Sequence, residues 1–224
     1  MKESKFPGIF EQRKGKRVFF LTRNLAPGKT VYDERLIKDK GVEYREWNVK
    51  RSKLAAVILK NIKEIGIKPG DTVLYLGCAY GTTASHVSDI VGEKGFVFGL
   101  DFAPRVMRDF VFVCETRKNM APLFYDANRP DDYKDKVGKV DVIYMDVAQK
   151  MQPEIFLKNI DMFLKPNGYA LIAVKARSMD VTRNPKQIFE EVRKKLEKNL
   201  KMIDFKTLEP FEKDHGFFVC KRQH

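Results

Sequence analysis

The chain has 224 residues, 43% hydrophobic and 12% aromatic, with 43 Lys and Arg against 30 Asp and Glu, a formal net charge of +13 at pH 7. That apolar content supports a real core and excludes a generally disordered chain, while no apolar run is long enough for a membrane-spanning helix. A pI near 9.5 predicts a polyanionic partner, with nucleic acid first among the candidates.

The first segment, MKESKFPGIFEQRKGKR, has no apolar stretch before a small-residue cleavage site, so no secretory signal is expected. Residues 1–53 carry fifteen Lys and Arg and seven Asp and Glu, a net +8, leaving +5 for the rest. Turn signals at Pro7-Gly8, Lys14-Gly15-Lys16, Ala26-Pro27-Gly28 and Lys40-Gly41 separate short strand-like runs, Arg17–Thr22 and Val42–Trp47. The expectation is a small basic antiparallel β domain over residues 1–51, packed against a larger domain over 52–224. Ser52 is a good N-cap for a helix whose apolar stripe, Leu54, Val57, Ile58, Ile62 and Ile65, closes at Gly66.

Strands and helices then alternate. Strands are expected at Thr72–Leu76, Phe96–Leu100, Pro122–Tyr125, Val140–Met145 and Tyr169–Val174, and helices at Thr82–Val91, Pro104–Lys118, Pro153–Leu164 and Pro185–Leu200. A turn is expected at Lys165-Pro166-Asn167-Gly168. Met202–Leu208 and Gly216–Cys220 close the chain as strands with too short a connection for a crossover, so the last runs antiparallel. The fold class is α/β: a seven-stranded, mostly parallel Rossmann-like sheet with the small N-terminal antiparallel β domain.

In such sheets ligands bind beyond the carboxyl ends of the strands. The first strand runs into Gly77-Cys78-Ala79-Tyr80-Gly81-Thr82-Thr83, a loop with two glycines and a helix start whose N–H groups are free. Ala79 stands where a dinucleotide site needs its second glycine, which makes NAD a poor fit. Asp101 ends the second strand, where a carboxylate can accept from both ribose hydroxyls; Asp126 and Asp146 end the third and fourth. The combination suits S-adenosylmethionine.

Tyr44–Ala56 (YREWNVKRSKLAA), Tyr75–Val87 (YLGCAYGTTASHV), Phe102–Asp109 (FAPRVMRD), Asp146–Gln149 (DVAQ), Val174–Ser178 (VKARS) and Asp214-His215 together resemble the fibrillarin family in its archaeal form. The sequence departs from the family at Cys78 and Tyr80, where small residues are usual, at Asp101, where Glu is common, and at Val49, where proline is common. The resemblance implies an S-adenosylmethionine-dependent RNA ribose 2′-O-methyltransferase, cytoplasmic and archaeal. It implies a box C/D ribonucleoprotein in which guide RNA pairs with rRNA or tRNA, together with a Nop-type scaffold protein and a kink-turn-binding protein. It also implies a catalytic set of Lys53, Asp146, Lys175 and His215. Cofactor contacts are expected at Gly77, Ala79, Gly81, Thr82, Thr83, Asp101, Phe102, Asp126, Ala127, Asp146 and Gln149.

Lys175, at the end of an apolar strand, is the expected central residue, with Asp146 orienting it and Lys53 and His215 holding the target nucleotide. His86 is expected to pack or cap, and His224 is terminal. Cys78 reads as a small apolar residue whose loop position could expose it to alkylation. Scattered histidines and cysteines give no metal-ligand spacing, so no metal is expected. A stand-alone methyltransferase for another acceptor, such as a protein glutamine, and a binding module without catalysis are the competing readings.

Overall fold

The computed structural model describes residues 1–15 and 17–223; Lys16 of the Lys14–Lys16 turn and the terminal His224 lie outside the described residues. Strands β1 (Lys2–Glu3), β2 (Ile9–Lys14), β3 (Arg17–Arg23), β4 (Leu36–Asp39) and β5 (Val42–Trp47) form an antiparallel sheet in the order β1-β2-β3-β5-β4. Only the third and fifth coincide with the strand-like runs expected from sequence. Arg45 and Trp47 of β5 turn fully inward, and the remaining strands are short or carry charged, exposed edges.

The chain continues through α1 (Lys53–Leu59), β6 (Thr72–Leu76), α2 (Thr82–Val91), β7 (Phe96–Asp101), α3 (Pro104–Glu115) and β8 (Met120–Phe124). After a 3-10 turn at Pro130–Tyr133 come β9 (Val140–Met145), α4 (Gln152–Phe163), β10 (Leu164–Lys175), α5 (Ala176–Met179), α6 (Pro185–Leu196), β11 (Leu200–Thr207) and β12 (His215–Arg222). The seven-stranded sheet has the order β11-β12-β10-β9-β6-β7-β8. Pairs from β8 to β10 are parallel, and β12 is antiparallel to both neighbours. Strand order reverses between β6 and β9, which places a crevice beyond their carboxyl ends.

Two elements differ from expectation. Helix α1 stops at Leu59, because Asn61 adopts a left-handed conformation (φ 59°) and turns the chain out. Ile62 and Ile65 are still buried, but from the irregular connection that follows. Gly66 does not cap that helix; a Cβ there would lie 2.0 Å from the Tyr169 ring, so its role is to let that ring pack. The expected Lys165–Gly168 turn is instead a bulge inside β10, where the pairing register shifts between Leu164 and Tyr169.

Each face of the sheet buries its own core, and the alternation is strict. Val73 and Tyr75, Val142 and Tyr144, Leu171 and Ala173, and Phe217 and Val219 join α1, α2 and α3. Leu74 and Leu76, Ile143 and Met145, Ile172 and Val174, and Phe218 and Cys220 join α4 and α6. The first core also takes in Phe6, Ile9, Phe20 and Trp47 from the small sheet, so the two sheets share a continuous apolar contact.

A buried polar knot reinforces that junction. Arg45 donates to Glu34 at 2.6 Å, to Asp89 of α2 at 3.0 Å and to Ser85 at 3.0 Å. Arg117 binds the other oxygen of Asp89. His86, fully buried, bonds Thr22 and Tyr32 at 2.7 Å each and stacks on Trp47. Burial and the nearby Arg45 and Arg117 cations hold its pKa well below the ordinary histidine value, so it packs as a neutral ring.

Candidate active site

A cleft opens at the switch point, lined by Gly77, Ala79, Leu100, Asp101, Phe102, Asp126, Ala127, Asp146, Val147, Ala148 and Gln149. Its floor requires Gly77: with φ 78°, a Cβ there would meet the Asp146 carbonyl at 2.7 Å. Ala79 also takes a left-handed conformation, φ 47°, which an alanine adopts at a cost of roughly 1–2 kcal/mol. Asp101 holds it there. One carboxylate oxygen accepts from the Ala79 amide at 3.1 Å and the other from Ala103 at 3.0 Å. Asp126 caps its own turn by accepting from Asn128 at 2.9 Å, and Asn128 in turn donates to Gln149 at 2.9 Å, tying the two walls together.

Most of the expected cofactor contacts therefore meet in one place. Gly81, Thr82 and Thr83 do not line the cleft. A Cβ on Gly81 would meet the Phe110 ring at 2.7 Å, so this glycine lets α3 pack against the start of α2. Thr83 donates to Ser52 at 3.0 Å from a buried position, linking α2 to the cap of α1. Leu100, Val147 and Ala148 are lining residues that sequence reasoning missed, since an apolar strand end looks the same in any core. Cys78 is 3% exposed and burial raises its thiol pKa well above the ordinary value, so it packs as the small apolar residue expected and its loop position does not expose it to alkylation.

Beside the cleft, alternation along the strands sets the orientation of the four charged candidates. Asp146 follows Tyr144 by two residues, Lys175 follows Ala173, and His215 precedes Phe217. All three therefore face the side on which α1 packs. Lys53, at the start of α1, donates to Asp146 at 2.8 Å, and both side chains are 21% exposed. Burial by itself would lower the Lys53 pKa; the adjoining Asp146 carboxylate outweighs it and holds the ammonium above the ordinary lysine value.

Lys175 lies directly opposite His215 across the β10–β12 ladder. His215 is 6% exposed, and its Nδ1 lies 2.7 Å from the Lys213 carbonyl. A carbonyl only accepts, so Nδ1 carries a proton and Nε2 is the ring nitrogen left for another partner. Asp146 thus bonds Lys53 and not Lys175, contrary to the expected pairing. The reason is tertiary: the N-terminus of α1 sits over the end of β9, whereas the exposed Lys175 side chain has no partner among the described residues. No group of three His, Cys, Asp or Glu among the described residues could hold a metal ion.

The fibrillarin family profile matches residues 1–224. A fibrillarin-like rRNA/tRNA 2′-O-methyltransferase from Thermococcus onnurineus is 51% identical over 225 residues, covering 99% of each chain. Aeropyrum pernix fibrillarin, solved with natively bound S-adenosyl-L-methionine, superimposes with a TM-score of 0.90 at 43% identity, covering 98% of this chain and 96% of that one. The fibrillarin of a fibrillarin/Nop5p complex gives a TM-score of 0.89 at 36% identity, covering 99% and 100%. With the family profile matched over residues 1–224 and a relative 51% identical across 99% of the chain, this chain belongs to the fibrillarin family.

Proposed function

We infer that this chain is an S-adenosylmethionine-dependent RNA 2′-O-methyltransferase acting on rRNA and tRNA with a Nop-type partner. The observation that carries the reading is the Lys53–Asp146 ion pair at the wall of a cleft that suits a nucleoside, with the Lys175–His215 pair on the same sheet face in the neighbouring strands. Asp101 offers a carboxylate to the ribose, Asp126 a second acceptor, and the Gly77 and Ala79 backbone lets a ligand approach closely. Bound S-adenosylmethionine would supply a methyl group on a sulfonium, which leaves as a neutral thioether.

The protein's task is to aim the ribose 2′-oxygen at that carbon, exclude water and receive the hydroxyl proton. Lys53 is fixed as an ammonium by Asp146, so it cannot serve as the base. Its role is to set the Asp146 carboxylate at the cleft wall and to attract the RNA phosphate. Lys175, which no carboxylate engages among the described residues, is the residue proposed to act on the 2′-hydroxyl as the C–O bond forms and the C–S bond breaks. His215, opposite it, presents Nε2 towards the target ribose.

We further propose that guide RNA pairing supplies the sequence specificity, that a kink-turn-binding protein completes the assembly, and that the protein acts in the cytoplasm. Among the described residues no helix is long and apolar enough to cross a membrane. The discriminating experiment uses tritiated S-adenosylmethionine with and without scaffold, kink-turn protein and guide RNA. Methylation of the paired nucleotide only in the complete mixture supports the reading; label on a protein glutamine without RNA would replace it. Lys175→Ala should abolish transfer while cofactor binding stays measurable, and full turnover by that protein would remove Lys175 from the mechanism.

A further inference from the structure

Strand β10 loses its parallel neighbour before it reaches Lys175. The β9–β10 ladder ends with Met145 opposite Ile172, because the chain leaves β9 at Asp146 to form the cleft wall. A side chain fills the missing place. Gln152, the first residue of α4 and 0% exposed, accepts from the Lys175 amide through Oε1 and donates from Nε2 to the Lys175 carbonyl, both at 3.2 Å. A carboxamide offers the same donor and acceptor as a peptide unit, so Gln152 prolongs β9 by one step.

This has a geometric result on the other edge of β10. With its N–H and C=O turned towards Gln152, Lys175 forms a non-hydrogen-bonded pair with His215. The neighbouring bond from the Ala176 amide to the Asp214 carbonyl, at 3.0 Å, fits that pattern. Side chains in such pairs approach most closely, with Cα atoms about 4.5 Å apart. The Lys175 amine has no side-chain partner among the described residues, so its main chain is what fixes it.

We propose that Gln152 is a positioning residue for methyl transfer: its amide holds the backbone of Lys175 and so places the amine beside His215 at the cleft rim. The inference rests on the role given to Lys175 above. A shift of about 1 Å in a reacting group can lower a rate about 100-fold, which sets the size of the expected effect.

Gln152→Met keeps the length of the side chain and removes both bonds. In the complete complex with guide RNA, its single-turnover rate at saturating cofactor and RNA should fall about 100-fold, with the half-saturating concentrations of both unchanged. Gln152→Glu keeps the acceptor for the Lys175 amide and should recover part of that loss. A wild-type rate in Gln152→Met, or a loss confined to half-saturation by cofactor, overturns the proposal. If Gln152→Met lacks a cooperative melt, Gln152→Glu is judged by the same two criteria. Lys175→Ala is measured alongside. Full activity there refutes the role of Lys175 itself, whereas its inactivity beside a fully active Gln152→Met refutes only the positioning role.

Discussion

Replacing Arg45 by methionine removes the cation at the centre of the junction between the two sheets while keeping most of the side chain's bulk. Arg45 is 0% exposed, as is Asp89, and Glu34 is 1% exposed at the side chain, so the carboxylates left behind cannot turn to water. Breaking a buried pair by removing one partner destabilises by about 3–5 kcal/mol. The structure argues for the lower end. Asp89 keeps Arg117, the Thr22 hydroxyl and the Leu25 amide, and Glu34 keeps the Val31 and Tyr32 amides. A loss of about 3 kcal/mol is a large share of the about 5–15 kcal/mol that holds a typical protein folded. At roughly 2–4 °C per kcal/mol for a chain of this size, the melting temperature should fall by about 6–12 °C.

The assay is urea unfolding followed by circular dichroism, supported by calorimetry. A second arm combines Arg45→Met with Asp89→Asn. If the two residues act as one unit, the double variant should lose clearly less than the sum of the single losses. A stability change below about 1 kcal/mol for Arg45→Met, or strict additivity with Asp89→Asn, would show that apolar packing alone joins the sheets.

Two further outcomes are expected. His86 is held neutral in the fold, with its pKa well below the 6.5 of an unfolded histidine. The unfolded chain therefore binds the extra proton first, and the stability present above pH 6.5 should be lost as pH falls, by up to about 1.4 kcal/mol per unit. Urea midpoints between pH 7.5 and 5 for the wild type and His86→Gln measure this, and parallel curves would sink it. Asp101→Ala releases the Ala79 and Ala103 amides as well as the carboxylate offered to the ribose. At about 1.5–3 kcal/mol for a hydrogen bond to a charged group, S-adenosylmethionine should bind roughly 10- to 100-fold more weakly by calorimetry. An unchanged Kd would place the ribose elsewhere.

The sheet was legible because its strands alternate with amphipathic helices, and because Pro104 and Pro185 begin two of those helices where proline is best tolerated. The cleft was legible for a related reason, since acids at successive strand ends and a glycine loop project to one edge in any such sheet. What stayed hidden depends on packing between distant segments. Leu54, Ile58, Ile62 and Ile65 fit a helical stripe, yet the backbone leaves the helix before Asn61 and buries the last two from an irregular connection. The Lys53–Asp146 bond joins residues 93 positions apart, and no local pattern says which lysine that carboxylate will meet. Gln152 was passed over because a polar residue at a helix start usually faces solvent; only the end of the β9 ladder shows why this one turns inward.

The same distinction changes the meaning of the basic N-terminal segment. A net +8 over residues 1–53 counts Arg45, which is sealed in the junction, and Lys53, which is neutralised by Asp146. Arg35 is likewise paired with Glu46 at 2.8 Å. Attraction of RNA at long range must therefore come from exposed cations such as Lys50 and Arg51, which lead along the surface to Lys53. In the role proposed for it, Lys53 would have two neighbours to satisfy, the carboxylate already bonded to it and an incoming phosphate. An ammonium has three donors on one flexible stem, so it can hold both at once, and the phosphate would be drawn to the edge of the cleft that Asp146 already lines. Under the proposed function, the charge that draws the RNA in and the carboxylate at the cleft wall are joined by one bond, and the target ribose would be delivered between that bond and Lys175.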